Sequence, residues 1–255
     1  MIGEAYESHN FQAPAKLLFL CDHGSNEVPP ELGTLGLQPQ DFAAHIAFDI
    51  GAAALTRELA RAFEAPAVIG RWSRLVVDLN RGADDPTVVA KLSDGRIVPA
   101  NAALNRAGIE ERIARYHAPY HGKIAEKIAD ALGAGIVPVI VSMHSFTPVW
   151  RGKPRCWHIG VLWDRDGRLA LPLMERFREE HDLVVGDNEP YTGALENDCL
   201  YRHGTMNGLP HVLIEVRQDL IADPKGIVYW AGRIERCLRD AMQAMGPASI
   251  LSSRA

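Results

Sequence analysis

Three apolar runs in this chain end in residues that can bind a metal or move a proton. KLLFLC (16–21) stops at Asp22, His23 and Gly24, with Glu27 four residues beyond the histidine. IVPVIVS (136–142) runs into Met143, His144 and Ser145, and HVLIEVR (211–217) carries Glu215 and Arg217. Two imidazoles and a carboxylate leave a fourth position open for water, the ligand set of a catalytic zinc and not of a closed structural one. His23, Glu27 and His144 make that set, although a loop histidine bound to nearby backbone would show the same spacing. Glu215 interrupts a strongly apolar strand, where a carboxylate is costly unless it is protonated, paired or beside a cation. A water activated by a metal would stabilise Glu215 and use it as a general base. Alternation also places Arg217 on the same face, so an internal ion pair at the sheet edge is the competing account.

Other residues suit substrate binding. In VVDLNRGADDP (76–86), Asn80 and Arg81 directly follow an apolar run, where a guanidinium fork can take a carboxylate bidentately; a solvated arginine in a surface turn is the alternative. His117 and His121 share a helical face at i, i+4, with Pro119 between them, and fit the substrate pocket or the support of other residues better than metal ligation. His203 can line the pocket or brace its own loop, and Tyr191 sits in a turn that could reach substrate. His45 and Asp49 read as a hydrogen-bonded pair on the surface of a helix. Trp150, Trp157 and Trp163 read as core and interface fillers.

The elements that must position these residues alternate in type. Strands are expected at 16–21, 67–69, 74–78, 136–142, 157–163, 182–185 and 210–216. Helices are expected at 41–63, 108–132 (kinked or restarted at Pro119), 167–181 and 225–245, with a loop and possible hairpin over 82–98. Apolar strands joined by helical crossovers predict a three-layer α/β/α fold around a mixed, largely parallel sheet, in which ligands bind at the carboxyl ends of the strands. No linker composition interrupts residues 60–200, so one domain over 1–255 is expected, with a loose tail after Gly246.

Composition narrows the partners. At 255 residues, 47% hydrophobic and with a net charge of −5, the chain has the material for a large core and lacks the basic field that nucleic acid or anionic lipid would need. The opening MIGEAYESHN lacks the apolar centre of a secretory signal and no run reaches membrane-spanning length, so a cytoplasmic location is expected. Cys21, Cys156, Cys199 and Cys237 form no CxxC pair and read as buried thiols. The expected partner is a small acidic substrate, for a monomer or small homo-oligomer.

Taken in order, DHGSNEVP (22–29), SRLVVDLNR (73–81), YHAPYH (116–121), SMHSF (142–146) and GLPHVLIEVRQDLI (208–221) resemble the N-formylglutamate amidohydrolase family, from about Lys16 to Met242. The segments are more distantly similar to zinc carboxypeptidases. There a His and Glu pair plus a later His hold zinc, an Asn-Arg pair binds a substrate carboxylate, and a late Glu is the general base. The resemblance implies a phosphorylase/hydrolase-like fold and a divalent metal, zinc first, held by His23, Glu27 and His144. Glu215 would be the base, Arg74 or Arg217 the stabiliser of the oxyanion, and Asn80 with Arg81 the carboxylate clamp. The expected reaction is cleavage of N-formyl-L-glutamate to formate and glutamate. One extra residue separates His23 from Glu27 relative to the carboxypeptidase spacing, which makes Glu27 the weakest of the three ligands; if it points away, Asp22 is the next candidate. A related amidase on another acyl-amino acid or short peptide, or a non-catalytic binding protein on the same fold, are the other readings.

Overall fold

A computed structural model describes residues 4–9, 12, 14 and 16–251, with side chains described as far as Gly246. The loose tail expected after Gly246 falls outside the residues described with side chains. Among the described residues, seven strands form the central sheet: β1 (Tyr6–His9), β2 (Leu17–Cys21), β3 (Ala67–Gly70), β4 (Val139–Phe146), β5 (Ile159–Leu162), β6 (Val185–Asp187) and β7 (His211–Arg217), in the order β1-β3-β2-β4-β7-β5-β6. The run β3-β2-β4-β7 is parallel, β1 closes one edge antiparallel to β3, and β5 lies antiparallel to β7 with β6 parallel beside it. This is the expected mixed, largely parallel sheet. Its central strands β2 and β4 are buried at every position, which is why they read as continuous apolar runs.

Alternation sends successive side chains to opposite layers. Leu17, Phe19 and Cys21 of β2 pack with α1 (Ala52–Ala62), α4 (Ala170–Glu179) and α6 (Pro224–Leu251) on one face. Leu18 and Leu20 pack on the other face with α3 (Ala118–Gly133) and the segments 35–47 and 72–89. α2 (Arg106–Arg112) leads into a π turn at Ile113–His117 just before α3, and α5 (Cys199–His203) is a short helix on the same side. α6 breaks at Gly246, whose φ of 61° is non-helical. No helix among the described residues is long and apolar enough to cross a membrane.

Three departures from the sequence reading shape the site. The helix expected over 41–63 is a single turn at Pro39–Phe42 followed by a loop, and α1 begins only at Ala52. Gly51 forces this break: its φ is +82°, and a Cβ there would sit 2.3 Å from the Ile221 carbonyl oxygen. Residues 74–78, expected as a strand, form turns whose Leu75, Val76 and Val77 are buried without joining the sheet. A short apolar run reports burial and not its backbone shape. The helix around Pro119 is continuous but widened, with Ala118 N–H donating to the Ile113 carbonyl five residues back. The hairpin expected within 82–98 is present as Leu92–Ser93 paired with Arg96–Ile97.

Candidate metal centre and substrate pocket

In β4, Ile140, Ser142 and His144 share one face, and in β7 Leu213 and Glu215 share the same layer. The parallel register sets Glu215 directly beside His144. His23 follows β2, two positions over in the sheet, and its carbonyl accepts a hydrogen bond from the Asp49 N–H at 3.0 Å. That bond, with the turn at Gly51, brings the Asp49 carboxylate between the two imidazoles.

Asp49 Oδ2 lies 2.8 Å from His144 Nδ1 and 3.4 Å from His23 Nδ1. The other nitrogen of each ring meets a second carboxylate: His23 Nε2 is 2.7 Å from Asp78 Oδ1, and His144 Nε2 is 3.1 Å from Asp22 Oδ2. Two rings presenting Nδ1 to a common point, each with Nε2 anchored on a carboxylate, form the arrangement that orients metal-binding histidines. All of these side chains are buried. Burial disfavours a charged His144, yet the hydrogen-bonded Asp22 and Asp49 hold its pKa well above the usual value. Burial likewise opposes an ionised Asp49, and the two imidazoles hold its pKa below the carboxylate range.

The donor set fits a divalent cation. Asp22, Asp49, Asp78 and Glu215 are buried around the two imidazoles, and Arg74 pairs with this group through Asp78 at 2.6 Å and Asp49 at 3.8 Å. With both imidazoles neutral, as ligands must be, one guanidinium would face most of that negative charge alone, and a dication between His23, Asp49 and His144 would take the place of the protons that the carboxylates otherwise hold on the rings. Glu215 is the odd member: its Oε2 is buried without a hydrogen-bond partner among the described residues, and burial raises its pKa to about 7.

A cavity of about 280 Å³ opens over these residues, lined also by Asn80, Arg81, Trp150, Tyr191 and Asp198. Asn80 N–H donates to Asp78 Oδ1 at 3.0 Å, so the 79–81 loop is tied to the carboxylate that holds His23. Residues 15–222 match the family model for N-formylglutamate amidohydrolase. The chain belongs to the N-formylglutamate amidohydrolase family. Among solved structures, a gene product from Agrobacterium tumefaciens is 35% identical, with a TM-score of 0.91 over 95% of this chain and 96% of that one. An N-formylglutamate amidohydrolase from Ralstonia eutropha shares the fold at 19% identity, with a TM-score of 0.72 over 94% of this chain and 97% of that one. No curated protein matches the chain.

Within this family member the cavity gathers His23, His144, Glu215, Arg74, Asn80, Arg81 and Tyr191. Several expected site residues lie elsewhere. Glu27 is exposed and borders a separate depression, because the chain turns outward after His23; Asp49 occupies the place expected for it. Asp22 sits behind His144 and accepts from the Tyr120 hydroxyl at 2.7 Å. Arg217 does not face the cavity: it pairs with Asp219 at 2.8 Å and donates to the Arg155 and Trp157 carbonyls, bracing the strand end. The adjacent Arg155 donates to the Tyr191 hydroxyl at 3.1 Å. His117, His121 and His203 are buried behind the 79–81 loop and do not line the cavity. Trp150, expected as core filler, does line it, and Cys156, expected buried, is exposed.

Sequence reasoning missed Asp49 and Asp78. The Asp-Ile-Gly triplet at 49–51 held the signal for the first, since a glycine within an otherwise helical pattern can mark a break.

Proposed function

We propose that this chain is a metal-dependent amidohydrolase cleaving the amide of an N-acyl amino acid, with N-formyl-L-glutamate as the foremost substrate and zinc as the foremost ion. The supporting observation is the unpartnered Glu215 Oε2 beside the cluster of His23, Asp49 and His144, in a cavity that also holds Arg81. A divalent ion at that cluster would supply Lewis acidity toward a carbonyl and toward a water. Its charge would also favour the ionised, proton-accepting form of Glu215. Glu215 then takes a proton from the attacking water and returns it to the departing nitrogen. Arg74, on the cavity wall and fixed by Asp78, is the cation placed to meet charge developing on the carbonyl oxygen.

Arg81 differs from Arg74 in having no ion pair among the described residues while facing the same cavity. It is therefore the guanidinium open to a substrate carboxylate, with Asn80 beside it. In Glu215→Gln, formate release from N-formylglutamate should fall by roughly 100-fold or more, the scale of a lost general base, with metal content unchanged. Substantial residual turnover would move the base role to another residue. Arg81→Ala should raise KM while leaving the metal in place, and Lys should rescue in part because an ammonium lacks the planar fork. Equal efficiency on the free carboxylate and its neutral amide in wild type would reject the acyl-amino acid reading.

A further inference from the structure

His117, His121 and His203 lie behind the clamp loop, and their hydrogen bonds fix both their protons and their purpose. His121 Nε2 is 3.0 Å from the Leu79 carbonyl oxygen, and His117 Nε2 is 2.8 Å from the Arg81 carbonyl oxygen. A carbonyl only accepts, so each Nε2 carries the hydrogen. In a neutral His121 the Nδ1 is then a bare acceptor, and His203 Nε2, 2.8 Å away, donates to it. Burial lowers the pKa of both rings, and with both neutral the order runs from His203 to His121 to Leu79.

The same cluster contains Cys199, and its His121, Cys199 and His203 donor atoms lie within 4.8 Å of one another. Ring geometry argues against an ion there. The His121 and His203 rings are within 15° of coplanar, with centroids 5.1 Å apart and facing nitrogens 2.8 Å apart. They therefore meet end to end, which suits an N–H···N bond, whereas two ligands of a tetrahedral ion point their lone pairs at an angle.

We propose that this histidine array is a positioning device for the carboxylate clamp. It holds the backbone carbonyls on either side of Asn80, at Leu79 and Arg81, and so sets the angle at which Asn80 and Arg81 enter the cavity. Asn80 is held from a third side, where its Oδ1 accepts from the Cys199 N–H at 3.2 Å. Cys199 and His203 begin and end α5, which directly follows the cavity-lining residues Leu195 and Asp198. The array thus couples one cavity wall to the clamp. It rests on the proposed role of Arg81 and adds three residues that act through it without touching substrate.

The test compares His121→Phe and His203→Phe, which keep a flat aromatic ring but remove the donor, with His121→Gln and His203→Gln, which can restore an Nε donor. Readouts are KM and kcat for N-formylglutamate, the ratio of kcat/KM for a carboxylate substrate over its primary amide, metal content and melting temperature. The Phe variants should raise KM and lower that ratio by roughly three- to ten-fold, the range of one uncharged hydrogen bond, with kcat and metal content near wild type. The Gln variants should recover most of the loss. Nitrogen NMR of the wild-type imidazoles should show His117, His121 and His203 all neutral and protonated at Nε2, a measurement independent of how any variant folds. A different tautomer at His121, or a carboxylate preference that survives both Phe variants, overturns the array alone. A wild type without any carboxylate preference overturns the clamp itself, and the array's role with it.

Discussion

Asp49 and Glu27 are both carboxylates near His23 in sequence or space, and the site separates them sharply. Glu27 is four residues away along the chain yet exposed, while Asp49 is distant in sequence and shares one oxygen between two imidazoles. Asp49→Ala should therefore strip the ion on dialysis, whereas Glu27→Ala should keep about one ion per chain; elemental analysis of both variants decides between them. A metal-replete Asp49→Ala protein would return the ligand role to another carboxylate. His23, His144, Glu215, Asn80 and Arg81 were legible because each ends or interrupts an apolar run, where chemistry-bearing residues stand out. Asp49 was not, because HIAFDIGAAAL keeps a helical rhythm through residues that the fold uses as a loop. Asp78 was hidden similarly, inside an apolar run whose turn character no periodicity reveals.

The elements that carry these residues differ in how much context they need. β2, β4 and β7 are fully or almost fully buried, and continuous apolar runs announced them. β1 and the clamp turns depend on partners far away in sequence, and only the assembled sheet and α3 show what they do. The contact between α5 and α3 also has a pH signature. Burial lowers the His203 pKa to about 4 from an ordinary 6.5 and lowers that of His121 well below its ordinary value, because a charged ring there would lose water, and the more distant Asp22 only partly offsets that loss. The unfolded chain takes up the His203 proton first as pH falls, so the contribution is complete above pH 6.5 and is lost between pH 6.5 and about 4. Over that window His203 should cost roughly 3 kcal/mol of stability. Urea unfolding at pH 7 and pH 4.5 should show a smaller loss in His203→Gln than in wild type; equal losses would mean that His203 is not held neutral.

At the scale of the whole molecule, the sheet concentrates opposite demands on either side of the 79–81 loop. Behind the loop lie rings that must stay neutral; in front, four buried carboxylates share Arg74 and two imidazoles. If the second group holds the proposed ion, the fold's stability should depend on it, since a dication that binds only the folded arrangement stabilises it by mass action. At a free zinc concentration 100 times the Kd, the gain is about 2.7 kcal/mol, or roughly 5–10 °C in Tm for a chain of this size. Chelation should remove that gain in wild type and change Asp49→Ala little. The direction with pH also follows from the geometry. In the absence of an ion, Asp22 and Asp49 raise the pKa of His144 well above its usual value, so protons compete for the position that the ion would take. The difference in Tm between loaded and chelated protein should therefore shrink as the pH is lowered from 8 toward 6, which differential scanning calorimetry at several pH values can follow. A gap that stays constant over that range would show that the ion does not displace a proton from the imidazoles, and would place it away from His23 and His144.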